Sequence, residues 1–375
     1  MPGKKILFIS HDAERTGAPA ELLLIVRYLD RTRYEPTVLL GKEGPLQNEF
    51  ANCAPVLLQS LFPRAPKYLR EIASARRRIG LLRNVRPDLL YCNTVMTAKW
   101  LLYAQLLHIP ATVHVHELSA IVRNLSPVDK FLLRNPAHRL IAASAAVENC
   151  LRTDLGLNTR NITVFHECID VVKMQKQDVA SLRKELFPGR CDLVIGCIGR
   201  IAPMKGTDLF LRVAARVKSA LEGKMNVKFL IVGGAARQER NFYDELLNLR
   251  DSLSLKDDCV ITGPRDDVRP YYSLADIILI PSREDPFPLV LLEAMAMGKP
   301  VVAFSTGGIG EAVTPDCGLL APPLDVETMA QNTLTLVHDP DLRGRFGAAG
   351  RARAEGHFDI RHNIRKLETI IDGIL

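Results

Sequence analysis

Two doubly wound α/β domains, each a parallel sheet with helices on both faces, are what this sequence predicts. Three observations carry the prediction. Short β-branched apolar runs alternate with longer helical segments, and the alternation occurs twice, on either side of a strand-poor join. Nine of the expected strands end in polar or glycine-rich loops. Unbroken apolar strands separated by helices suit parallel sheets buried on both faces.

In the first half, strands are predicted at KILFIS (5–10), PTVLL (36–40), PVLL (55–58), DLLYC (88–92), ATVHV (111–115), RLIAA (139–143) and ITVF (162–165). Helical stretches follow most of them, among them PAELLLIVRYLD (19–30) and AAVENCLRTDLG (145–156). The join falls near 170–190, where CIDVVKMQKQDVASLRKELFPGR lacks strand character and closes on Pro-Gly. The second half continues with DLVIGCIG (192–199), KFLIVGG (228–234), CVITG (259–263), DIILIPS (276–282) and PVVAF (300–304). FDIRHNIRKLETIIDGIL reads as a terminal helix. A chain of 375 residues with a 47% apolar share supports two sizeable cores.

Charge is unevenly placed. Residues 1–170 hold 22 Lys+Arg against 15 Asp+Glu, and residues 171–375 hold 27 of each. The densest basic stretch, KYLREIASARRRIGLLRNVRP (67–87), carries Arg76, Arg77 and Arg78 in a row. It is either a solvated helix face or a contact for an anionic partner such as membrane lipid. No aromatic platform accompanies it, which argues against nucleic acid. The eight cysteines show no C-x-x-C pair and no zinc-like spacing, and several sit inside apolar runs. A reducing, cytoplasmic setting is expected, with peripheral contact at the inner face of the membrane left open. No segment reaches the roughly 20 apolar residues of a membrane span.

In open parallel sheets, ligands bind beyond the carboxyl ends of the strands, so the loops there carry the chemistry. GRIAPMKG sets Arg200 and Lys205 around one loop, with Gly206 and Thr207 opening a helix: an anion site suited to a diphosphate, or merely exposed loop charges. TGAPAE places Gly17 just before a helix, and STGGIGE places Gly307 and Gly308 before another. None of these matches G-x-G-x-x-G or a P-loop, which argues against a dinucleotide oxidoreductase and an NTPase. His114 and His116 share a strand face; His116, followed by Glu117, lies nearer the carboxyl end. It is either a site residue or a hydrogen-bonded core histidine. No companion ligands at recognisable spacing suggest a metal.

SREDPFPLVLLEAMAMGKP (282–300) sets Glu284 and Asp285 ahead of Pro286 and Pro288, which shape a turn and a helix start. Backbone N–H groups near Leu289 and Val290 are free at that start. Glu293 is a lone carboxylate on an otherwise apolar helix and needs a partner. The vicinal hydroxyls of a ribose fit; so does an Arg, or backbone from another helix.

Together these residues resemble the retaining GT-B glycosyltransferases of family 4. The likeness runs through HDAERTGAPAELLL, HVHEL, GRIAPMKGTDLFL, YYSLADIILIPSREDPFPLVLLEAMAMGKPVVAFSTGGIGE and the final helix. It implies two Rossmann-like domains facing across a cleft. Residues 1–172 would bind the acceptor, with helix 357–375 packing back onto them, and 173–356 would bind a nucleotide-diphosphate sugar as donor substrate. By the same resemblance, Arg200 and Lys205 hold the diphosphate, Glu293 the ribose, Gly17 the donor phosphates, and His116 sits beside the transferred sugar. The family's carboxylates are spaced Glu, seven residues, Glu. Here that spacing selects Asp285, while Glu284 lies one residue early; Cys168 stands in HECID where a Gly is common. The implied chemistry is metal-independent transfer, with retention, to a saccharide or lipid-linked acceptor in glycan or glycoconjugate biosynthesis. Two rivals are a GT-B sugar-nucleotide epimerase and a non-catalytic two-domain binding protein.

Overall fold

A computed structural model describes residues 3–59 and 67–375. The chain forms two compact units, Met1–Cys168 with Ile360–Leu375, and Ile169–Asp359. The first holds seven parallel strands: β1 (Lys4–Ser10), β2 (Tyr34–Leu40), β3 (Val56–Leu58), β4 (Leu89–Asn93), β5 (Ala111–Val115), β6 (Arg139–Ala142) and β7 (Ile162–Val164), in the order β3-β2-β1-β4-β5-β6-β7. The second holds β8 (Leu193–Ile198), β9 (Val227–Val232), β10 (Cys259–Ile261), β11 (Ile277–Ile280), β12 (Val301–Phe304) and β13 (Gly318–Ala321), in the order β10-β9-β8-β11-β12-β13. The twelve expected strands are present, with ends within two residues of those expected. β13 was not expected, because four residues beginning with Gly make too short an apolar run to stand out.

Strand alternation explains why the apolar runs are unbroken. In β1, Ile6 and Phe8 enter one core and Leu7 and Ile9 the other, so both faces are covered. In β8, Leu193, Ile195 and Cys197 face one core and Val194 and Ile198 its opposite. The order in which strands are added reverses between β1 and β4 in the first sheet, and between β8 and β11 in the second. Each reversal opens a crevice beyond the strands' carboxyl ends, the usual ligand position in such sheets.

The boundary expected at 172/173 lies instead at 168/169, and the returning helix begins at Ile360. The cause is local. The Ile169 N–H donates to the Phe358 carbonyl at 2.9 Å, and Phe358 stacks near Phe287 at 5.5 Å between centroids, which holds both segments in the second unit. Helix Ile360–Asp372 buries Ile360, Ile364, Leu367 and Ile371 in the core of the first unit. Four such side chains contribute about 6–12 kcal/mol, comparable with the whole stability of a domain, so this helix is integral to its fold. Polar contacts fix its register: the Asp30 N–H donates to Glu368 at 2.9 Å, Tyr34 donates to Asp372 at 2.5 Å, and Arg33 pairs with Asp372. No helix among the described residues is long and apolar enough to cross a membrane.

Candidate active site

In the second unit the site grows from the loops after β8 and β11, the two strands flanking the reversal. Gly206 closes the β8 loop with φ +67°, and a Cβ there would lie 1.9 Å from the Pro281 carbonyl oxygen. Glycine therefore lets the loop carrying Lys205 press against the end of β11. Lys205 Nζ donates to Asp285 Oδ2 at 2.6 Å, and Ser282 Oγ donates to the same oxygen at 3.1 Å. The Asp285 side chain is 3% exposed and that of Lys205 is 35% exposed, so the cation is the part of the pair open to a ligand. Glu284 is half-buried and has no hydrogen bond or ion pair among the described residues. Of the two neighbouring acids, Asp285 is the one brought to the lysine.

Arg200 is not drawn into that pair. Its guanidinium lies 3.4 Å from Glu239 and its side chain is 45% exposed. Gly199, just before it, borders Val290: a Cβ on Gly199 would meet Val290 Cγ1 at 3.6 Å, which sets the β8 loop beside the start of helix Leu289–Ala296. Leu289 and Val290 are half-buried, and their N–H groups have no partner among the described residues. The loop that carries Gly307 and Gly308 is tied to the loop after β11. The Gly308 N–H donates to the Asp285 carbonyl at 3.1 Å, Thr306 donates to the Ser282 carbonyl at 3.0 Å, and the helix that follows, Ile309–Ala312, has only four residues.

Glu293 finds its partner in Tyr272, whose hydroxyl donates to Oε2 at 2.8 Å with the Val290 carbonyl 3.1 Å away. Its other oxygen has no hydrogen bond among the described residues. Burial pushes the Glu293 carboxyl up to about 7, against the pull of the tyrosine hydrogen bond. One carboxylate oxygen is thus anchored and the other is offered outward.

In the first unit, His116 follows β5 and is held at both ring nitrogens. Nδ1 lies 3.0 Å from Glu167 Oε1 and Nε2 lies 3.0 Å from Asn93 Oδ1. Asn93 Nδ2 donates to the Ala18 carbonyl at 2.8 Å, which fixes the amide so that its oxygen faces the ring. Both ring nitrogens are thus engaged by side chains of the first unit. His114 is a core histidine: fully buried, 2.8 Å from the Tyr91 hydroxyl, and held well below the usual histidine range by burial. Glu117 is buried too and accepts the N–H groups of His116 at 3.0 Å and Val95 at 3.3 Å, so it shapes the strand end. Gly17 is exposed at the start of helix Gly17–Tyr28, and the nearest atom to a Cβ there would be Glu167 Oε2 at 4.0 Å.

Behind Glu167 lies Glu21, fully buried. One of its oxygens accepts the Cys168 N–H at 3.1 Å and the other has no partner among the described residues. Burial, and then Glu167, hold its carboxyl well above the usual range, so the folded protein keeps a proton that the unfolded chain releases at lower pH. Stability from this group is present at acid pH and lost as pH rises past the unfolded value. Glu21→Gln is therefore expected to raise the unfolding free energy by about 1–3 kcal/mol at pH 8 and by less at pH 4, read by denaturant titration at both values. A variant less stable at pH 8 rules this out.

Arg76 and Arg77 are exposed on helix Lys67–Val85, but Arg78 turns inward over Trp100 and Tyr103, 5.3 and 5.4 Å from their centroids. The basic run is thus split, with Arg78 packed against rings of helix Trp100–Leu106. Among the described residues, no three His, Cys, Asp or Glu side chains form a metal-holding group. Asn93, Glu167, Glu21, Tyr272, Ser282 and Glu239 were not singled out from the sequence. Asn93 and Ser282 carried a usable signal, since each follows an apolar strand.

Two family models divide the chain between them. Glycosyltransferase Family 4 matches residues 17–173, and Glycosyl transferases group 1 matches residues 192–339. The chain belongs to glycosyltransferase family 4. Among curated relatives of this family 4 chain is a D-inositol 3-phosphate glycosyltransferase of Kribbella flavida, 29% identical over 260 residues, covering 65% of this chain and 61% of that protein. A lipopolysaccharide core biosynthesis mannosyltransferase of Rhizobium meliloti is 27% identical over 261 residues, covering 68% and 71%. The match spans less than two thirds of the length of the first of these. Among solved structures, Anabaena HepE in complex with UDP and glucose superposes with a TM-score of 0.87 at 23% identity, covering 98% of this chain and 99% of that one. The fold of this family 4 chain is GT-B.

Proposed function

We propose that this family 4 protein transfers a sugar from a nucleotide-diphosphate sugar to a saccharide or lipid-linked acceptor, with retention at the anomeric carbon. The carrying observation is the arrangement at the β8/β11 reversal: an outward lysine on a buried acid, a free helix start, and a carboxylate with one open oxygen. These suit, in order, a diphosphate, the phosphate nearest the helix, and a ribose. The unit 169–359 is assigned the donor and the unit 1–168 the acceptor. Anabaena HepE, solved with UDP and with UDP-glucose, supports the assignment by likeness.

As the bond to the anomeric carbon breaks, charge grows on the departing diphosphate. Lys205, Arg200 and the N–H groups of Leu289 and Val290 are fixed donors suited to stabilise it, and the proposed step draws on no metal. His116, with both nitrogens engaged, acts by position rather than as a base. Glu239 and Asp285 neutralise the two cations while no anion is bound, so donor binding replaces the Arg200 partner and shares the Lys205 one. A thermal-shift screen with UDP-, GDP- and ADP-sugars tests the proposal: one donor class is expected to raise the melting temperature by several degrees at saturation. No shift with any class counts against it, and turnover of the nucleotide sugar without an acceptor to an epimer would favour the epimerase.

A further inference from the structure

Arg283 stands between Ser282 and Glu284 in the loop after β11, and its backbone N–H and both terminal guanidinium nitrogens go to the loop that carries Lys205 and to the first turn of the helix that follows it. Its backbone N–H donates to the Met204 carbonyl at 2.8 Å. Its guanidinium donates through one terminal nitrogen to the Pro203 carbonyl at 2.6 Å and to Asp208 Oδ1 at 2.8 Å, and through the other to Asp208 Oδ2 at 2.7 Å. Asp208 lies in the first turn of helix Thr207–Ala220, just past Gly206. Arg283 therefore ties down the residues on both sides of Lys205.

Such a brace has something to do here. Lys205 closes a three-residue 3-10 turn, Pro203–Lys205, and a turn of that length has weak hydrogen-bond geometry of its own. Lysine is a point charge on a flexible stem, so its position must be imposed from outside. The segment 282–285 imposes it twice: Arg283 holds the turn's backbone, while Asp285, itself held by Ser282, holds the Nζ end. The end-on fork formed by both terminal guanidinium nitrogens is committed to Asp208, so the strongest pairing Arg283 makes is with the Lys205 side of the loop.

Resting on the donor-site assignment above, we propose that Arg283, through Asp208, is a positioning residue for Lys205. It sets the point at which the ammonium meets the diphosphate and does not touch the ligand. A partly exposed ion pair contributes little to stability by itself, so a merely structural role predicts a small loss of stability with no link to Lys205.

The test is a double-mutant cycle read by calorimetric titration of UDP, GDP and ADP into wild type, Arg283→Met, Lys205→Ala and the double variant. Arg283→Met is expected to weaken binding of the accepted nucleotide about tenfold in the wild-type background and less than about twofold once Lys205 is gone. Arg283→Lys, which keeps the backbone bond and one charge, falls between wild type and Arg283→Met. Asp208→Asn, which breaks the fork from the other side, is expected to show the same coupling and serves if Arg283→Met does not fold. An equal loss in both backgrounds, or none in either, overturns the proposal while leaving the donor site standing. Unchanged affinity in Lys205→Ala overturns the donor-site assignment instead, and no binding of any of the three nucleotides by wild type overturns both.

Discussion

Lys205→Ala is expected to lower turnover of the nucleotide sugar by roughly 10²–10³, the usual cost of removing one preorganised donor from a developing negative charge. The size follows from where the charge sits. The Asp285 side chain is 3% exposed and grips Lys205 at 2.6 Å, so the ammonium is held in place before a ligand arrives. No reorganisation is left for the chemical step. The variant also leaves a buried carboxylate with Ser282 as its remaining side-chain partner, costing about 1–3 kcal/mol of stability. Lys205→Arg separates the two effects: it keeps the charge and most of the stability, but a planar fork does not reproduce the point contact, so turnover stays depressed. The checks are kcat and KM with the donor found by thermal shift, beside denaturant unfolding of each variant. Turnover within threefold of wild type in Lys205→Ala removes Lys205 from the mechanism.

The strands and the site loops were legible in the sequence for one shared reason. A strand buried on both faces must be apolar throughout, so the first polar residue after it marks the sheet edge where ligands bind. That rule finds Asn93, Arg200 and Ser282 without any knowledge of contacts, whereas β5 already carries Thr112 and His114 ahead of His116. The rule does not find partners. Glu21 meets Cys168 across 147 positions, Arg283 meets Asp208 across 75, and Tyr272 meets Glu293 across 21, and no local pattern marks any of these pairs. The same gap explains Arg78, which reads as one charge of three until Trp100 and Tyr103 are seen beneath it. Between Glu284 and Asp285, spacing favoured one acid and residue type the other. The fold supplies what was missing, the direction each side chain takes from the loop: Asp285 turns inward to Lys205, and Glu284 remains half-buried without a partner among the described residues. β13 went unread because Gly318–Ala321 takes its place from pairing with β12 along its whole length, and not from its own composition.

Glu293→Gln is expected to move binding and stability in opposite directions. To accept two ribose hydroxyls the carboxylate must be ionised, and burial has pushed its pKa up to about 7. Wild-type affinity for the donor is then full near pH 8 and falls about tenfold by pH 6, as the ionised fraction drops from roughly nine tenths to one tenth. The titration is best done with the nucleotide sugar, because the terminal phosphate of a free nucleoside diphosphate titrates in the same range. Glutamine cannot titrate, so the variant is flat across that window, and at pH 8 it binds about 10–100 times more weakly, having lost charge-assisted hydrogen bonds. For stability the sign reverses. A carboxyl with its folded value above its unfolded value stabilises the fold below pH 4.5, and that contribution is lost as pH rises through about 7. Above pH 7 the buried charge is a cost on the order of 2–3 kcal/mol, which Glu293→Gln relieves while its amide oxygen still accepts from Tyr272. The variant should therefore unfold later than wild type at pH 8 and at the same point as wild type near pH 4. Glu293 thus costs stability at neutral pH while offering an ionised carboxylate to the ribose, and equal donor affinity in wild type and Glu293→Gln at pH 8 would remove it from the donor site.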